Sequence, residues 1–204
     1  MKLIWIRHGE TVWNREFRLQ GSSDVELSAK GRRQADCLAA RLSDKPDKIF
    51  TSSLKRAQTF SEPLSSRFGL VTTVLPELRE MSFGLWEGMR YADMDHEMQA
   101  LFEKWYADPI NTCPPGGEAG ASLAQRVQKA VKIITAETAA TETAILITHG
   151  GVIRVAVAML MGMAPAAAGS IQIDTGSVTV LEYLSGHSRL LLLNDTCHLR
   201  AEDC

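Results

Sequence analysis

Apolar and polar positions along this chain come in short blocks that switch between strand-like and helix-like spacing. Leu3-Ile4-Trp5-Ile6 is a four-residue apolar run, too short for a helix and ended by Arg7, and it predicts a buried strand. Behind it Ser28 is placed as an N-cap, with Ala35, Leu38, Ala39 and Leu42 at helical spacing. Lys48–Thr51 reads as a second strand, and Leu54, Ala57 and Phe60 open another helix. Pro63 is expected to kink or restart that helix, because proline lacks a backbone donor and crowds the preceding turn. Val71–Leu75 reads as a third strand. After a long middle segment, Ser122 is expected to cap a helix holding Leu123, Arg126, Val127, Ala130, Val131 and Ile134. Ala144–Thr148 is a deeply buried strand followed by a helix from Gly151 to about Met161, and Ser177–Tyr183 and Arg189–Leu193 read as late strands.

Strands separated by helices predict an α/β fold with three α/β/α layers, a mainly parallel central sheet and right-handed crossovers. No repeat or long linker divides the chain, so one domain over residues 1–204 is expected. Ligands of such sheets bind outside the strand carboxyl ends. His8, Ser52, Ser53 and His149 should therefore lie together on one side.

Composition narrows the partners more than the fold. Hydrophobic residues at 45%, charged residues at 23% and a net charge of −2 are ordinary globular values without the basic footprint of a nucleic-acid binder. No apolar run approaches the ~20 residues of a membrane span. The longest candidate, Val152 to Ala168, is interrupted by Arg154, Gly162 and Pro165. With no signal-peptide pattern, a cytoplasmic protein without nucleic-acid or membrane partners is expected. Cys37, Cys113, Cys197 and Cys204 form no CxxC pair, so they are expected to be reduced structural thiols, with no metal site. His198 beside Cys197 lacks the rest of a ligand set, and His96, His187 and His198 are expected at the surface. Monomer and homodimer are both open.

The chemistry concentrates at the strand ends. Arg7-His8-Gly9-Glu10-Thr11 follows the first strand, pairing a ring nitrogen able to attack phosphorus with a guanidinium whose donors match phosphate oxygens. Thr148-His149-Gly150-Gly151 repeats that arrangement where glycines open a helix, whose free N–H groups favour an anion. Arg56 lies one turn into the helix after Ser52-Ser53, and Glu80 offers a carboxyl group in Leu78-Arg79-Glu80-Met81.

Taken in chain order, Arg7-His8-Gly9-Glu10-Thr11 with Asn14, Ser53 through Arg56, Glu80 before Phe83-Gly84, and His149-Gly150 resemble the histidine phosphatase superfamily, with its phosphoglycerate-mutase-like fold. The resemblance implies that His8 is the phosphohistidine nucleophile and that Arg7, Arg56 and His149 bind the phosphoryl oxygens. It makes Glu80 the proton donor to the leaving alcohol, with Glu87 as its rival. Asn14, Gln20, Gly21 and Gly150 become substrate-binding positions, and no cofactor or metal is required. Physical argument points the same way, since phosphoryl transfer depends chiefly on positioning and on stabilising charge over the equatorial oxygens. His8 must attack as the neutral tautomer, its other ring nitrogen donating to a backbone carbonyl. Glu80 must carry a proton when it acts, so activity should favour mildly acidic to neutral pH. Glu10 is read as structural.

Residues 81–121, expected as a helical lid over the pocket, hold two basic residues, Arg90 and Lys104, against seven acids. They also hold Phe83, Trp86, Tyr91, Phe102, Trp105 and Tyr106, about half of which should be core. Such a lid suits a neutral, partly aromatic leaving group better than a polyanion. Together with Glu80 through Glu87 and Pro114-Pro115-Gly116-Gly117-Glu118, it is similar to α-ribazole phosphatases, which release phosphate from α-ribazole 5′-phosphate in cobalamin assembly. Ala119 departs from the serine that often follows the Gly-Gly-Glu. The expectation is a small-molecule phosphomonoesterase. Its alternatives are a broad-specificity acid phosphatase, a phosphoglycerate mutase, or a non-catalytic phosphate-binding scaffold.

Overall fold

The computed structural model describes residues 1–184 and 187–199. Six strands, β1 (Lys2–Arg7), β2 (Lys48–Thr51), β3 (Thr72–Val74), β4 (Thr143–Thr148), β5 (Val178–Leu184) and β6 (His187–Asp195), form one sheet of order β3-β2-β4-β1-β5-β6. The pairings β3-β2, β2-β4 and β4-β1 are parallel, whereas β5 and β6 add antiparallel to the free side of β1. Alternation along the central strands feeds two cores. Leu3, Trp5, Phe50, Ala144 and Leu146 join one apolar cluster, and Ile4, Ile6, Ile49, Ile145 and Ile147 join the other. A strand buried on both faces reads as a continuous apolar run, which is why β1 and β4 stand out in the sequence.

The helices are α1 (Val12–Arg15), α2 (Ala29–Arg41), α3 (Lys55–Phe68), α4 (His96–Ala107), α5 (Gly120–Glu137) and α6 (Gly150–Leu160). Apolar residues of α2 and α3 cover one face of the sheet, and those of α5 and α6 cover the other. The chain leaving β1 and the chain leaving β4 therefore turn toward opposite faces, which opens a crevice between two neighbouring strand ends. Register places Arg7 opposite Thr148, and the His8 N–H donates to the Thr148 carbonyl at 3.0 Å. His8 and His149 are thus set side by side by the β1–β4 pairing itself.

Close backbone contact holds the turn after His8. A Cβ at Gly9 would lie 2.5 Å from the Gly31 carbonyl oxygen, and one at Gly31 would lie 2.0 Å from that of Glu10. Only glycine lets α2 approach this closely.

Several expectations are corrected. α3 does not restart at Pro63 but runs through it as one helix, since one missing hydrogen bond is outweighed by the burial of Phe60, Leu64 and Phe68 on the same helix. α5 begins at Gly120 with Ala119 at its N-cap and no side-chain cap, not at Ser122. A Cβ at Gly120 would meet the Pro109 carbonyl oxygen at 2.1 Å, so tertiary packing outranks the capping preference of Ser122. His198 is buried rather than exposed, because its turn folds back so that Arg41 Nη1 meets the His198 Nδ1 at 3.1 Å. Cys37 is disulfide-bonded, contrary to the reduced-thiol reading. Sequence spacing does not report which thiols folding brings together, and the compartment argument built on reduced cysteines carries no weight here. Cys204 lies outside the described residues. His96 and His187 are exposed as expected.

In an open helix interior, glycine to alanine gains about 1 kcal/mol. At Gly31 the sign should reverse. Gly31→Ala is expected to lower the urea midpoint and to displace the His8 turn, reducing activity as well; an unchanged or raised midpoint would show that the contact is not obligatory.

Candidate active site

The strand ends of β1, β2 and β4 meet a cavity of about 290 Å³. Arg7, His8, Asn14, Gln20, Gly21, Arg56, Glu80 and Gly150 all line it, so the structure brings together residues that are up to 143 positions apart in the chain, counted from Arg7 to Gly150. His149 sits directly behind, its ring centroid 5.0 Å from that of His8.

His8 is 3% exposed, and its Nδ1 lies 2.7 Å from the Gly9 carbonyl oxygen. A carbonyl only accepts, so Nδ1 carries the proton and Nε2 keeps its lone pair. Arg56 Nε donates to that Nε2 at 3.1 Å. Burial, together with the positive charges of Arg56 and Arg7, holds the His8 pKa well below its ordinary value. The ring is neutral at physiological pH, as a nucleophile requires.

Arg56 is 1% exposed, with Nη1 donating to the Ser23 carbonyl at 2.6 Å and Nη2 to the Gly21 carbonyl at 2.8 Å. Burial brings its pKa down to about 10, against the pull of Glu80, Asp24 and Glu87, and it remains a cation at neutral pH. Arg7 Nη1 donates to the Ile173 carbonyl at 2.7 Å, while its buried Nε has no partner. Burial lowers its pKa, with Glu80 opposing and Arg154 adding to the shift. Two buried guanidiniums held by carbonyls, with no carboxylate in ion-pair contact among the described residues, leave a positive pocket for an oxyanion.

His149 is fully buried, and its Nε2 lies 2.8 Å from Ser52 Oγ. Ser52 Oγ already accepts the Leu54 N–H at 3.2 Å, so its own proton is free to go to His149 Nε2. That assignment puts the imidazole proton on Nδ1, a buried atom with no protein partner and a ready donor to a phosphoryl oxygen. The motif around Ser53 was legible in the sequence, but the part Ser52 plays was not. Its signal was placement at the end of β2, whose register sets Thr51 opposite Ile147 and so brings Ser52 beside the residues leading into His149.

Glu80 and Glu87 differ sharply. Glu80 lines the cavity, its Oε2 accepting from the Gly151 N–H at 3.2 Å and its Oε1 from the Met81 N–H at 3.0 Å. Glu87 lies outside the cavity lining and is engaged by serine hydroxyls and backbone amides. Asn14 Oδ1 accepts from Thr11, which leaves its amide nitrogen for a ligand, and Gln20 Oε1 is buried without a partner. Glu10 accepts from Ser28 and pairs with Lys30, a structural role. Among the described residues no group of three His, Cys, Asp or Glu side chains is arranged to hold a metal ion.

The 81–121 segment contributes Phe83, Trp105 and Tyr106 to the cavity, while Trp86, Phe102 and Tyr91 pack with one another beside it. Its acids bear on the pocket less than their number suggests. None of the seven lines the cavity, and six of them are engaged elsewhere, by Arg126, Arg90, Tyr91, the serines around Glu87 and local caps. Two basic residues from outside the segment, Arg18 and Arg154, do line it. Sequence reading missed both by looking for cations only within 81–121.

Neutral buried histidines have a consequence for stability. Their folded pKa lies below the unfolded value of about 6.5, so the unfolded chain binds more protons as pH falls through that value, and stability drops. Melting temperature should fall on acidification from pH 7.5 to 5.5, with a shallower dependence in His149→Asn. An identical slope in wild type and variant would contradict the assignment.

Comparison with known proteins places this geometry. Residues 3–196 match the model of the histidine phosphatase superfamily (branch 1). The chain is 29% identical over 203 residues to the adenosylcobalamin/alpha-ribazole phosphatase of Salmonella typhimurium, covering 99% of this chain and 100% of that one. It is 30% identical over 200 residues to phosphoserine phosphatase 1 of Hydrogenobacter thermophilus, covering 98% and 94%. The solved structure of a mycobacterial glucosyl-3-phosphoglycerate phosphatase superposes with a TM-score of 0.88 at 32% identity, covering 96% and 99%. No helix among the described residues is long and apolar enough to cross a membrane. The crevice between β1 and β4, with its paired histidines and buried arginines, is thus set in a phosphoglycerate-mutase-like fold, and the chain belongs to the histidine phosphatase superfamily as a phosphoric monoester hydrolase.

Proposed function

We propose that this phosphatase is metal-independent and acts through a phosphohistidine at His8 on a small-molecule phosphomonoester, with α-ribazole 5′-phosphate the substrate class its pocket suits best. The observation that carries the reaction is the state of His8: neutral, Nδ1–H on the Gly9 carbonyl, and Nε2 presented at the buried Arg56 guanidinium. In this reading His8 Nε2 forms a bond to phosphorus as the phosphorus–oxygen bond to the alcohol breaks, and Glu80 gives its proton to the departing oxygen. Glu80 then takes a proton from water, which attacks the phosphohistidine and releases inorganic phosphate. Arg7, Arg56 and the His149 Nδ1–H stabilise the equatorial oxygens throughout, and Asn14 adds a contact. Removing one such donor typically costs about 2.7–4 kcal/mol of transition-state stabilisation. Arg56→Ala should therefore lower kcat on the order of 10²- to 10³-fold.

The leaving-group side of the cavity supports the substrate reading. Phe83, Trp105 and Tyr106 supply flat apolar surface for an aromatic base, and residues 81–121 serve as the lid that closes on it. The Salmonella relative carries the matching name. A metabolite panel including α-ribazole 5′-phosphate, run with and without EDTA, tests both parts. Selective turnover of that ester, insensitive to EDTA, is expected; EDTA-sensitive turnover would overturn the metal-free route. Glu80→Gln should lose far more activity on alkyl phosphates than on p-nitrophenyl phosphate, whose leaving group needs no proton. Equal losses would remove Glu80 from that role.

One observation favours a second substrate class. Arg154 lines the cavity, gives only its Nε to the Ile171 carbonyl at 2.8 Å, and meets no carboxylate among the described residues. It is placed to receive a carboxylate on the leaving group, as phosphoserine or a phosphoglycerate derivative would provide. O-phosphoserine and O-phosphoethanolamine differ only by that carboxylate. If Arg154→Gln reduces kcat/KM for the first alone, the second class gains; equal effects on both would dismiss it.

A further inference from the structure

Glu87 is the most heavily engaged carboxylate outside the cavity lining. Its Oε1 accepts from the Ser22 N–H and the Ser22 hydroxyl, both at 2.9 Å, from the Phe83 N–H at 3.0 Å and from the Ser82 hydroxyl at 3.1 Å. Its Oε2 accepts from the Ser23 hydroxyl at 2.5 Å. Two distant pieces of chain are joined at this one group: the loop around Gly21–Ser23, and the residues that open the 81–121 segment.

That loop is the seat of Arg56. The Gly21 and Ser23 carbonyls hold the two terminal nitrogens of the guanidinium, and its Nε faces His8. Asp24, next along, accepts the Lys55 N–H at 2.7 Å, so the loop is also fastened to the start of α3. The fit at Gly21 is tight. Its φ is +54°, and a Cβ there would lie 2.3 Å from Glu87 Oε1.

We propose that Glu87 is a positioning residue for phosphoryl transfer, holding the Gly21 and Ser23 carbonyls where they aim Arg56 and so tying the opening of the 81–121 segment to the phosphate site. The inference rests on the reading of Arg56 as a phosphate ligand. It also assigns Glu87 away from proton donation. Burial pushes its carboxyl up, but the hydrogen bonds from Ser23, Ser22 and Phe83 together outweigh burial and keep it below its ordinary value. A carboxylate held ionised by five donors and set outside the cavity lining has no proton to give a leaving group. Its negative charge also offsets part of the cost of burying Arg56.

A mechanism that runs through Arg56 makes a distinctive demand: the loss must be the same for every phosphomonoester, because it lies on the phosphate and not on the leaving group. A misplacement of about 1 Å costs up to 10²-fold. Glu87→Gln should lower kcat/KM on the order of 10- to 100-fold for p-nitrophenyl phosphate, phosphoethanolamine and phosphoserine alike, and should weaken inhibition by vanadate in parallel. In an Arg56→Ala background the same substitution should cause little further loss. Ser22→Ala with Ser23→Ala removes two of the five bonds more gently and should reproduce the uniform loss if Glu87→Gln does not fold. Three results would overturn the proposal: a loss that depends on the leaving group, a full further loss in the Arg56→Ala background, or a lowered melting temperature with kcat/KM intact below it. Should Arg56→Ala itself retain full activity, the functional reading of the site fails, an outcome distinct from failure of Glu87 alone.

Discussion

A guanidinium buried among carbonyl oxygens, with a neutral histidine nitrogen as its remaining partner, is the constraint on which this site depends. Arg56 is almost wholly enclosed, yet no carboxylate touches it. A buried charge in that state is costly, and the cost falls when an oxyanion arrives. Burial, together with the same positive field, keeps His8 and His149 unprotonated, so in the proposed reaction one arrangement would serve as both phosphate grip and nucleophile. The fold exists around it to the extent that β1 and β4 must be neighbours, in register, with helices leaving toward opposite faces.

How much of this was legible follows from what kind of force sets each feature. Apolar runs at Leu3–Ile6 and Ala144–Thr148 predicted the central strands because burial on both faces writes itself directly into composition. The histidines were legible because they follow those runs. What failed was local preference set against tertiary contact. Ser122 lost its cap to the close approach of Gly120 to Pro109, and Pro63 was absorbed into α3 by packing. The turn of Cys197–Leu199 buries His198 against Arg41, a contact between positions 157 residues apart that no short window reports.

Charge counting over residues 81–121 failed for a related reason. Seven acids there suggested a lid better suited to a neutral leaving group than to a polyanion, but none of them lines the cavity, while Arg18 and Arg154 reach it from other parts of the chain. Glu87 shows the same lesson from the other side. Near Glu80 in sequence and alike in type, it differs in the number of donors aimed at it, and that difference separates a cavity carboxyl from an anchored one. Both roles are set by three-dimensional hydrogen bonding, and sequence proximity hides them.

The central claim is that His8 becomes covalently phosphorylated. Rapid-quench mixing of the enzyme with a ³²P-labelled phosphomonoester measures this directly. The account predicts label on the protein within the first turnover, stable in alkali, lost in acid as expected of a phosphorus–nitrogen bond, and absent from His8→Asn. Turnover by the wild-type enzyme with no protein-bound label at any time, or undiminished turnover by His8→Asn, would contradict it.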